Sequence, residues 1–314
     1  MADLVNEFSW SISQGNDFVK CKRMFYYGRY GSWEGWPSGK GDSTAKALYM
    51  LKKLTTKEMW AGSVVHDVIR AVLEGLRNGY TIDYTSAEQR LTKQMVDDFQ
   101  HSKQRLYQKN PKNYTGFFEH EYGLSLTDVD ISYYIDHAIK CLQNFFNSEI
   151  FKELQGLRKD QWLTIDELKP LSFILEGTRI WAKIDLAVKD VNRIKIFDWK
   201  TGKKDDADYS LQLSCYLSYA LNQWGRQVSD IEIFEVNLAT GKVNAYTGSA
   251  EKLKSFESYA LDSINTIKEF VQLPSNTAKE EDFEQRNDIR FCKRCEYLKV
   301  CKPPVLPDGL IDIS

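Results

Sequence analysis

Residues 176–216 read EGTRIWAKIDLAVKDVNRIKIFDWKTGKKDDADYSLQLSCY, and this stretch decides the fold. Within it, segments 179–188 and 193–200 are rich in Ile, Val, Trp and Phe, which alternate with other residues at a period of two. That pattern is typical of β-strands, and the Asp, Asn and Arg residues at 190–193 favour a turn between them. We therefore predict a β-hairpin.

The predicted hairpin brings two acidic side chains together. If its loop is centred on Val191 and Asn192, Asp185 faces Asp198 directly across the strand pair. Directly opposed side chains lie roughly 5 Å apart at Cβ, where two like charges destabilise a sheet. A divalent cation would compensate this repulsion. Lys200 lies two residues beyond Asp198 and points to the same face, which predicts an Asp–Asp–Lys group on one side of the hairpin.

The other face of the hairpin is apolar, and a helix follows the second strand. On this helix, predicted over about residues 207–223, Gln212 and Tyr216 stand four positions apart and share one face. We expect that face to lean over the cation. The residues expected in the core behind the acids are Ile184, Leu186, Val188, Phe197 and Trp199.

This Asp-x12-Asp-x-Lys arrangement followed by Gln-x3-Tyr resembles the PD-(D/E)XK nuclease superfamily and, within it, the RecB-type nucleases. The resemblance implies that Asp185 and Asp198 hold magnesium or manganese. It also implies that Lys200 positions or activates the attacking water, while Gln212 and Tyr216 support the site and the DNA strand.

A histidine on an earlier helix fits the same resemblance. The spacing of apolar residues predicts a helix over about 58–77, and His66 lies beside its apolar stripe. A lone histidine on a helix is more often structural than a ligand. However, Gly62-x3-His66-x2-Ile69 resembles the histidine motif that precedes the acids in RecB-type nucleases, which implies that His66 is a metal ligand. One departure from the family is Ala182, where these nucleases often have Gly.

Composition limits the class of protein. The chain has 314 residues, 42% of them hydrophobic, and a formal net charge of −2. No stretch approaches the roughly 20 apolar residues of a membrane span, and the N-terminus lacks the pattern of a signal peptide, so we expect a cytoplasmic protein. The net charge gives no global attraction for nucleic acid, so DNA must bind at local basic patches. The candidate patches are Lys20 to Arg23, Lys200 to Lys204 and Lys293–Arg294.

The N-terminal segment contains a candidate cysteine ligand. Ser9 to Ser13 is predicted to be extended, with Ser13 capping a helix over about 14–30. Residues 9–27, SWSISQGNDFVKCKRMFYY, resemble the Ser-x-Ser and Cys-x-Arg-x-x-Tyr-Tyr pattern of iron–sulfur members of the family. The alternative is an amphipathic helix with Cys21 buried, because a free cysteine is usually buried.

Three further cysteines lie close together near the C-terminus, as Cys292, Cys295 and Cys301 in the pattern C-x2-C-x5-C. Tetrahedral zinc and cubane iron–sulfur clusters both commonly take four ligands, so a fourth cysteine is expected from Cys21, Cys141 or Cys215. The resemblance implies Cys21 and a [4Fe–4S] cluster, as in AddB-like helicase–nuclease subunits and CRISPR adaptation exonucleases. Zinc is the alternative.

The remaining sequence predicts further helices and strands. A loop is expected over 31–56 and a polar linker after Pro274, and Glu176 is either a helper of the metal site or an exposed charge at a strand end. The aromatic residues Tyr133, Tyr134, Phe145 and Phe146 are expected to pack helices, and His101, His120, His137 and Cys141 to be structural. Helices are predicted over about 86–108, 130–154 and 250–272, strands over 161–168 and 171–175, and a hairpin over 231–247.

The resemblance implies an α/β, restriction-endonuclease-like fold: a mixed sheet flanked by helices, with a helical insertion and a C-terminal cysteine cluster. We expect one nuclease domain over 1–314, mainly helical over 1–160, with the nuclease core over 161–248 and the iron–sulfur segment over 249–314. The same resemblance implies the expected function, a Mg- or Mn-dependent exonuclease on single-stranded DNA ends.

Two alternatives to this function stand. One is a non-catalytic DNA-binding or assembly subunit of a DNA repair, recombination or CRISPR adaptation complex, and the other is a zinc-stabilised protein with an unrelated activity. The chain has no helicase motif, so a motor would come from another protein. The resemblance implies DNA with single-stranded ends as the main partner, together with a helicase or CRISPR adaptation proteins.

Overall fold

The computed structural model describes residues 5–167, 171–190, 192–203 and 208–302. Four sequence predictions reach outside this range: Val191 at the centre of the hairpin turn, Lys204 in a basic patch, Leu168 at the end of a predicted strand, and Ala207 at the start of a predicted helix. The helices of the described residues are α1 Ile12–Lys20, α2 Lys22–Tyr26, α3 Ser43–Lys52, α4 Lys57–Arg77, α5 Tyr84–Lys103, α6 Phe118–Tyr122, α7 Asp128–Phe146, α8 Glu149–Gln155, α9 Ser210–Trp224, α10 Ala250–Lys268, α11 Ile289–Cys292 and α12 Leu298–Cys301.

Ten strands complete the regular structure of the described residues, together with a π-helical turn at Tyr27–Gly31 and short 3-10 turns. The strands are β1 Ser9–Trp10, β2 Leu54–Thr55, β3 Gly116–Phe117, β4 Trp162–Ile165, β5 Leu171–Leu175, β6 Thr178–Ala182, β7 Leu186–Asp190, β8 Arg193–Lys200, β9 Ile231–Asn237 and β10 Lys242–Tyr246. No helix of the described residues has the length and apolar character needed to cross a membrane.

The chain divides into two compact units. The first comprises the described parts of 1–57, 97–127 and 260–314, and the second comprises the described parts of 58–96 and 128–259. The second unit contains a five-stranded sheet in the order β10-β9-β8-β7-β4, in which β8 and β9 are parallel and the other neighbours are antiparallel. This mixed sheet with surrounding helices confirms the predicted fold class.

Strand β8 is central in this sheet, and its sequence explains that position. Ile196, Phe197, Asp198 and Trp199 are all buried, so both faces of the strand are covered. A strand buried on both faces carries a nearly continuous apolar run rather than a clean alternation. On one side the ring of Trp199 meets that of Phe145 from α7 at 5.6 Å. Asp198 is therefore a carboxylate placed inside the buried and otherwise apolar run 196–199 of this strand.

The first predicted strand of the hairpin is wrong in one respect. Segment 179–188 is two strands, because β6 pairs with β5 while β7 pairs with β8 and β4. The break falls at residues 183–185, so Asp185 stands just before β7 rather than within a continuous strand. The hairpin register is nevertheless the predicted one, since Leu186 pairs with Phe197 and Asp190 with Arg193.

The first unit joins segments that are far apart in sequence. Arg23 Nη1 lies 2.7 Å from Glu280 Oε1, and Tyr27 donates a hydrogen bond of 2.8 Å to the same oxygen. Arg23 Nε also donates to the carbonyl of Phe283 at 2.8 Å. The rings of Tyr27 and Tyr297 lie 5.5 Å apart. These contacts hold α2 against the C-terminal segment.

Two helix predictions and one loop prediction need correction. The predicted helix over 14–30 is broken at Cys21, and its cap is Ser11, which accepts a hydrogen bond from the Gln14 amide. The predicted loop over 31–56 contains α3, which Asp42 caps through the Ala45 amide at 2.8 Å. The predicted helix over 130–154 is two helices, α7 and α8, because Ser148 caps a new helix.

Candidate active site

The hairpin of β7 and β8 positions two buried acids. Because Leu186 pairs with Phe197, continuing the register by one step places Asp185 opposite Asp198. Asp185 is 6% exposed and Asp198 is 1% exposed, so little water reaches either carboxylate. The two buried carboxylates are near enough for the charge of Asp185 to act on Asp198 and raise its pKa.

The Asp185 carboxylate is fixed by the next strand and by a histidine. Its Oδ2 accepts a hydrogen bond of 2.8 Å from the Trp199 amide, and its Oδ1 lies 3.4 Å from His66 Nδ1. Burial acts to raise the pKa of Asp185, but His66, the Trp199 amide and Lys183 outweigh it and hold that pKa below its usual value. The lowered pKa favours the ionised form of the Asp185 carboxylate.

The Asp198 carboxylate lies in a denser network. Its Oδ1 accepts hydrogen bonds from Gln212 Nε2 at 3.1 Å and from the Tyr216 hydroxyl at 3.0 Å. Its Oδ2 forms an ion pair with Lys200 Nζ at 2.6 Å. Burial and the negative charge of Asp185 raise the pKa of Asp198 to about 6, although Lys200 acts in the opposite direction. The paired acids therefore still repel each other.

Helix α9 completes this network from above the sheet. Gln212 Oε1 accepts a hydrogen bond from Lys200 Nζ at 3.0 Å, and Gln212 Nε2 donates to the Tyr216 hydroxyl at 2.6 Å. The Lys200 ammonium also lies 4.0 Å from the centre of the Tyr209 ring, a cation–π distance. The structure thus links Asp198, Lys200, Gln212 and Tyr216 in one network. The catalytic roles assigned to them and to Asp185 stay predictions.

A second acid near His66 was missed by the sequence analysis. One ligand atom each from His66, Asp166 and Asp185 lies within 4.8 Å of the other two. Asp166 follows β4, where Ile165 pairs with Leu186, and its amide donates to the Asp185 carbonyl at 2.8 Å. It has a positive φ of 31°, which is uncommon for a residue other than glycine and is often found at functional sites.

The donor set of this group fits a divalent cation. Carboxylate oxygens suit magnesium and manganese, and an imidazole nitrogen suits the transition metal of the pair. Burial acts to lower the pKa of His66, but Asp185 outweighs it and raises that pKa, so a cation competes with a proton there. Lys183 Nζ lies 3.4 Å from Asp166 Oδ1. Glu176, by contrast, is exposed in the turn between β5 and β6.

The four cysteines of the predicted cluster line one cavity in the first unit. Cys21, at the junction of α1 and α2, faces this cavity together with Cys292, Cys295 and Cys301. The volume of this cavity is about 10 Å³. Among these four described cysteines, no three sulfur atoms lie within 4.8 Å of one another. Cys141 and Cys215 are buried elsewhere and do not line the cavity.

The family follows from this geometry and from sequence comparison. A sequence profile of the PD-(D/E)XK nuclease superfamily matches residues 9–302. The chain belongs to the PD-(D/E)XK nuclease superfamily. No curated protein sequence matches the chain significantly. The superfamily consists in general of nucleases that use divalent metals, so membership supports a metal-dependent hydrolase that binds DNA, in agreement with the His/Asp/Asp group.

Proposed function

We propose that this PD-(D/E)XK protein is a Mg- or Mn-dependent deoxyribonuclease of RecB type, an exonuclease on single-stranded DNA ends. The observation that carries the proposal is the buried network of Asp185, Asp198 and Lys200. Two buried and opposed carboxylates destabilise a metal-free sheet, so a purely structural protein gains nothing from them. We place the nuclease core at 161–248, with a mainly helical 1–160 and the cysteine segment in 249–314.

The metal ligands in this proposal are His66, Asp185 and Asp198, with Asp166 as a further ligand. Asp166 is added because one of its carboxylate oxygens lies within 4.8 Å of ligand atoms of both His66 and Asp185. Asp198, by contrast, forms an ion pair with Lys200. When bound, the metal supplies charge neutralisation at the scissile phosphate and lowers the pKa of a coordinated water. The Trp199 amide keeps the Asp185 carboxylate oriented, because it is part of the rigid strand β8.

Lys200 is proposed to orient the attacking water and to stabilise the negative charge that develops on the phosphate. Its ammonium is held by Asp198 and by Gln212, so it reaches the site in one defined position. Gln212 Nε2 in turn donates to the Tyr216 hydroxyl. The single proton of that hydroxyl is shared between Asp198 Oδ1 and the Lys183 carbonyl oxygen, which lie 3.0 and 2.6 Å away. Gln212 and Tyr216 therefore act as positioning residues.

Cys21, Cys292, Cys295 and Cys301 are proposed to hold a [4Fe–4S] cluster. The support for this proposal is that all four cysteines line one cavity. Four cysteines are the usual ligand set of a [4Fe–4S] cluster, and zinc is the alternative. The role of the cluster would be structural, since it joins the beginning and the end of the described chain within the first unit.

Digestion of end-labelled DNA tests the proposed reaction. The protein, purified without oxygen, is incubated with single-stranded and blunt duplex DNA in magnesium, manganese or chelator. We expect stepwise shortening of the single strand in either metal and none in chelator. Internal cuts would overturn the assignment as an exonuclease but not the assignment as a nuclease. Binding without any cleavage would favour the non-catalytic subunit, whose partners would be a helicase or CRISPR adaptation proteins.

The role of Asp166 gives a separate prediction. Asp166→Asn keeps the shape of the side chain, and asparagine tolerates a positive φ. If Asp166 is a ligand, the Mn²⁺ concentration for half-maximal cleavage should rise at least about tenfold, which corresponds to about 1.4 kcal/mol of metal affinity. Excess Mn²⁺ should restore much of the rate.

The neighbouring acid provides the matched control for this prediction. Glu167 is exposed and is not a member of the His/Asp/Asp group. Glu167→Gln should therefore show the wild-type dependence on Mn²⁺. An equal shift in both variants would assign the effect to general surface charge, and no shift in Asp166→Asn would remove Asp166 from the ligand set.

A further inference from the structure

A second cavity in the second unit adjoins the candidate active site. It has a volume of about 200 Å³ and lies between α4, α7 and the loop after β8. We call it the Tyr133 pocket, and we use six of its lining residues: Gly62, Tyr133, Tyr134, His137, Thr201 and Lys203.

Two residues that line the Tyr133 pocket are close in the chain to residues of the candidate active site. Gly62 lies one helical turn before His66 on α4, and Thr201 directly follows Lys200. A Cβ added at Gly62 would lie 2.8 Å from Thr201 Oγ1, so the absence of a side chain there lets the helix and the loop approach closely. His137 Nε2 lies 2.8 Å from the Thr201 carbonyl oxygen and anchors the same loop from α7. The pocket is therefore fixed in position beside Lys200.

Two consecutive tyrosines of α7 form its wall. Their ring centres lie 5.2 Å apart with an angle of 87° between the planes, so the two rings present a face and an edge. The Tyr134 hydroxyl donates to Glu58 Oε1 at 2.8 Å. Tyr133 is 51% exposed, although a large aromatic residue used only for packing would be covered. The packing role expected from sequence therefore does not account for Tyr133.

A cation accompanies the exposed ring. Lys203 Nζ lies 4.7 Å from the centre of the Tyr133 ring and donates a hydrogen bond to its hydroxyl. Lys203 is itself exposed, so its long side chain is able to leave the ring for another anion at little cost. An aromatic face beside a mobile positive charge is the combination with which proteins bind single-stranded nucleic acid.

We propose that the Tyr133 pocket binds an unpaired base of the DNA strand, which stacks on Tyr133 while Lys203 contacts a neighbouring phosphate. This inference rests on the proposed nuclease function and identifies how that site selects its substrate. A base within a duplex is stacked on its neighbours and paired, so it is not free to stack on Tyr133. The pocket thus favours a single strand whose next phosphate lies at Lys200.

Binding to DNA in chelator tests this inference apart from cleavage. The probe is a short single strand with one 2-aminopurine, whose fluorescence is quenched on stacking, moved along the strand in a series of oligonucleotides. Tyr133→Ala should raise the Kd at least about fivefold and remove the quenching at one position, because base stacking on an aromatic residue is worth about 1 to 3 kcal/mol. Tyr133→Trp should keep both within about twofold.

Two more variants separate the site from the helix. Lys203→Ala should weaken binding and lower the slope of log Kd against log salt concentration by about one, because one phosphate contact is lost. Val129, one turn earlier on α7, is 79% exposed and does not line the pocket, so Val129→Ala should bind like the wild type. Unchanged binding and quenching in Tyr133→Ala would overturn the inference, and so would an equal loss in Val129→Ala. Wild-type cleavage in metal would leave the proposed function standing in either case.

Discussion

Asp198→Asn is expected to lower the rate of metal-dependent DNA cleavage at least about 1,000-fold while the protein stays folded. The variant keeps an oxygen that accepts from Gln212 and Tyr216, but it removes the charge that the metal and Lys200 require. A loss of this size corresponds to about 4 kcal/mol of transition-state stabilisation. Single-turnover cleavage of a labelled single strand measures it.

The same variant has an expected effect on stability without metal. Because the pKa of Asp198 is raised to about 6 from 3.8, the folded state binds this proton more tightly than the unfolded state. The wild type should therefore lose stability as the pH rises from about 4 to about 6, and Asp198→Asn should lack this loss. The difference could reach about 3 kcal/mol at pH 7, at about 1.4 kcal/mol for each unit of pKa.

Urea unfolding in chelator at several pH values between about 4 and 8 measures this difference. The matched control is Asp190→Asn, since Asp190 is the exposed acid at the far end of β7. It should cleave DNA at the wild-type rate and show the wild-type dependence of stability on pH. Cleavage by Asp198→Asn at the rate of Asp190→Asn would contradict the assignment of the acids.

Cys21→Ala is expected to remove bound iron and to destabilise the first unit. The cluster would close a loop of about 270 residues, and in the cross-link description such a closure is worth on the order of 5 kcal/mol. Cys295→Ala should cost a similar amount. The double variant should cost little more than either single one, because the ligands of one cluster act together and their effects are not additive.

Iron and sulfide content, visible absorbance and melting curves of anaerobically purified protein measure these effects. Cys141→Ala and Cys215→Ala are the controls, because both residues are buried but neither lines the cysteine cavity. Both should keep the full iron content. Full iron content in Cys21→Ala would exclude Cys21 as the fourth ligand. One zinc ion per protein in the wild type would show that the site holds zinc rather than an iron–sulfur cluster.

The sequence was sufficient for the part of the site that depends on local geometry. A strand has a fixed period of two and a helix places positions four apart on one face, so the network of Asp198, Lys200, Gln212 and Tyr216 could be predicted. The hairpin register also follows from turn position, and Leu186 does pair with Phe197. These relations all lie within one continuous stretch of chain.

Asp166 could not be found in this way, because strand pairing over a longer distance brings it to the site. It depends on β4 lying antiparallel to β7, where Ile165 pairs with Leu186. The alternation of apolar residues marks β4 as a strand but does not say which strand lies beside it. The only sequence signal for Asp166 was its position as an acid directly after the strand β4.

Helix α3 was missed for a different reason. The Gly-, Pro- and Ser-rich residues 31–43 favour a loop, and this signal was extended too far along the chain. From Ser43 onward the residues STAKALYMLK favour a helix, and Asp42 caps it. The break before Asp185 is equally hard to predict, since residues 183–185 interrupt a segment whose alternation continues on both sides.

The cleavage rate of Lys200→Gln, measured beside the wild type on an end-labelled single strand, tests the central claim most directly. The side chain keeps most of its length but loses the ammonium that Asp198 and Gln212 hold in place. We predict that the wild type cuts in magnesium and not in chelator, and that Lys200→Gln binds the same DNA but does not cut it. Cutting by Lys200→Gln at the wild-type rate, or by the wild type in chelator, would contradict the proposed active site.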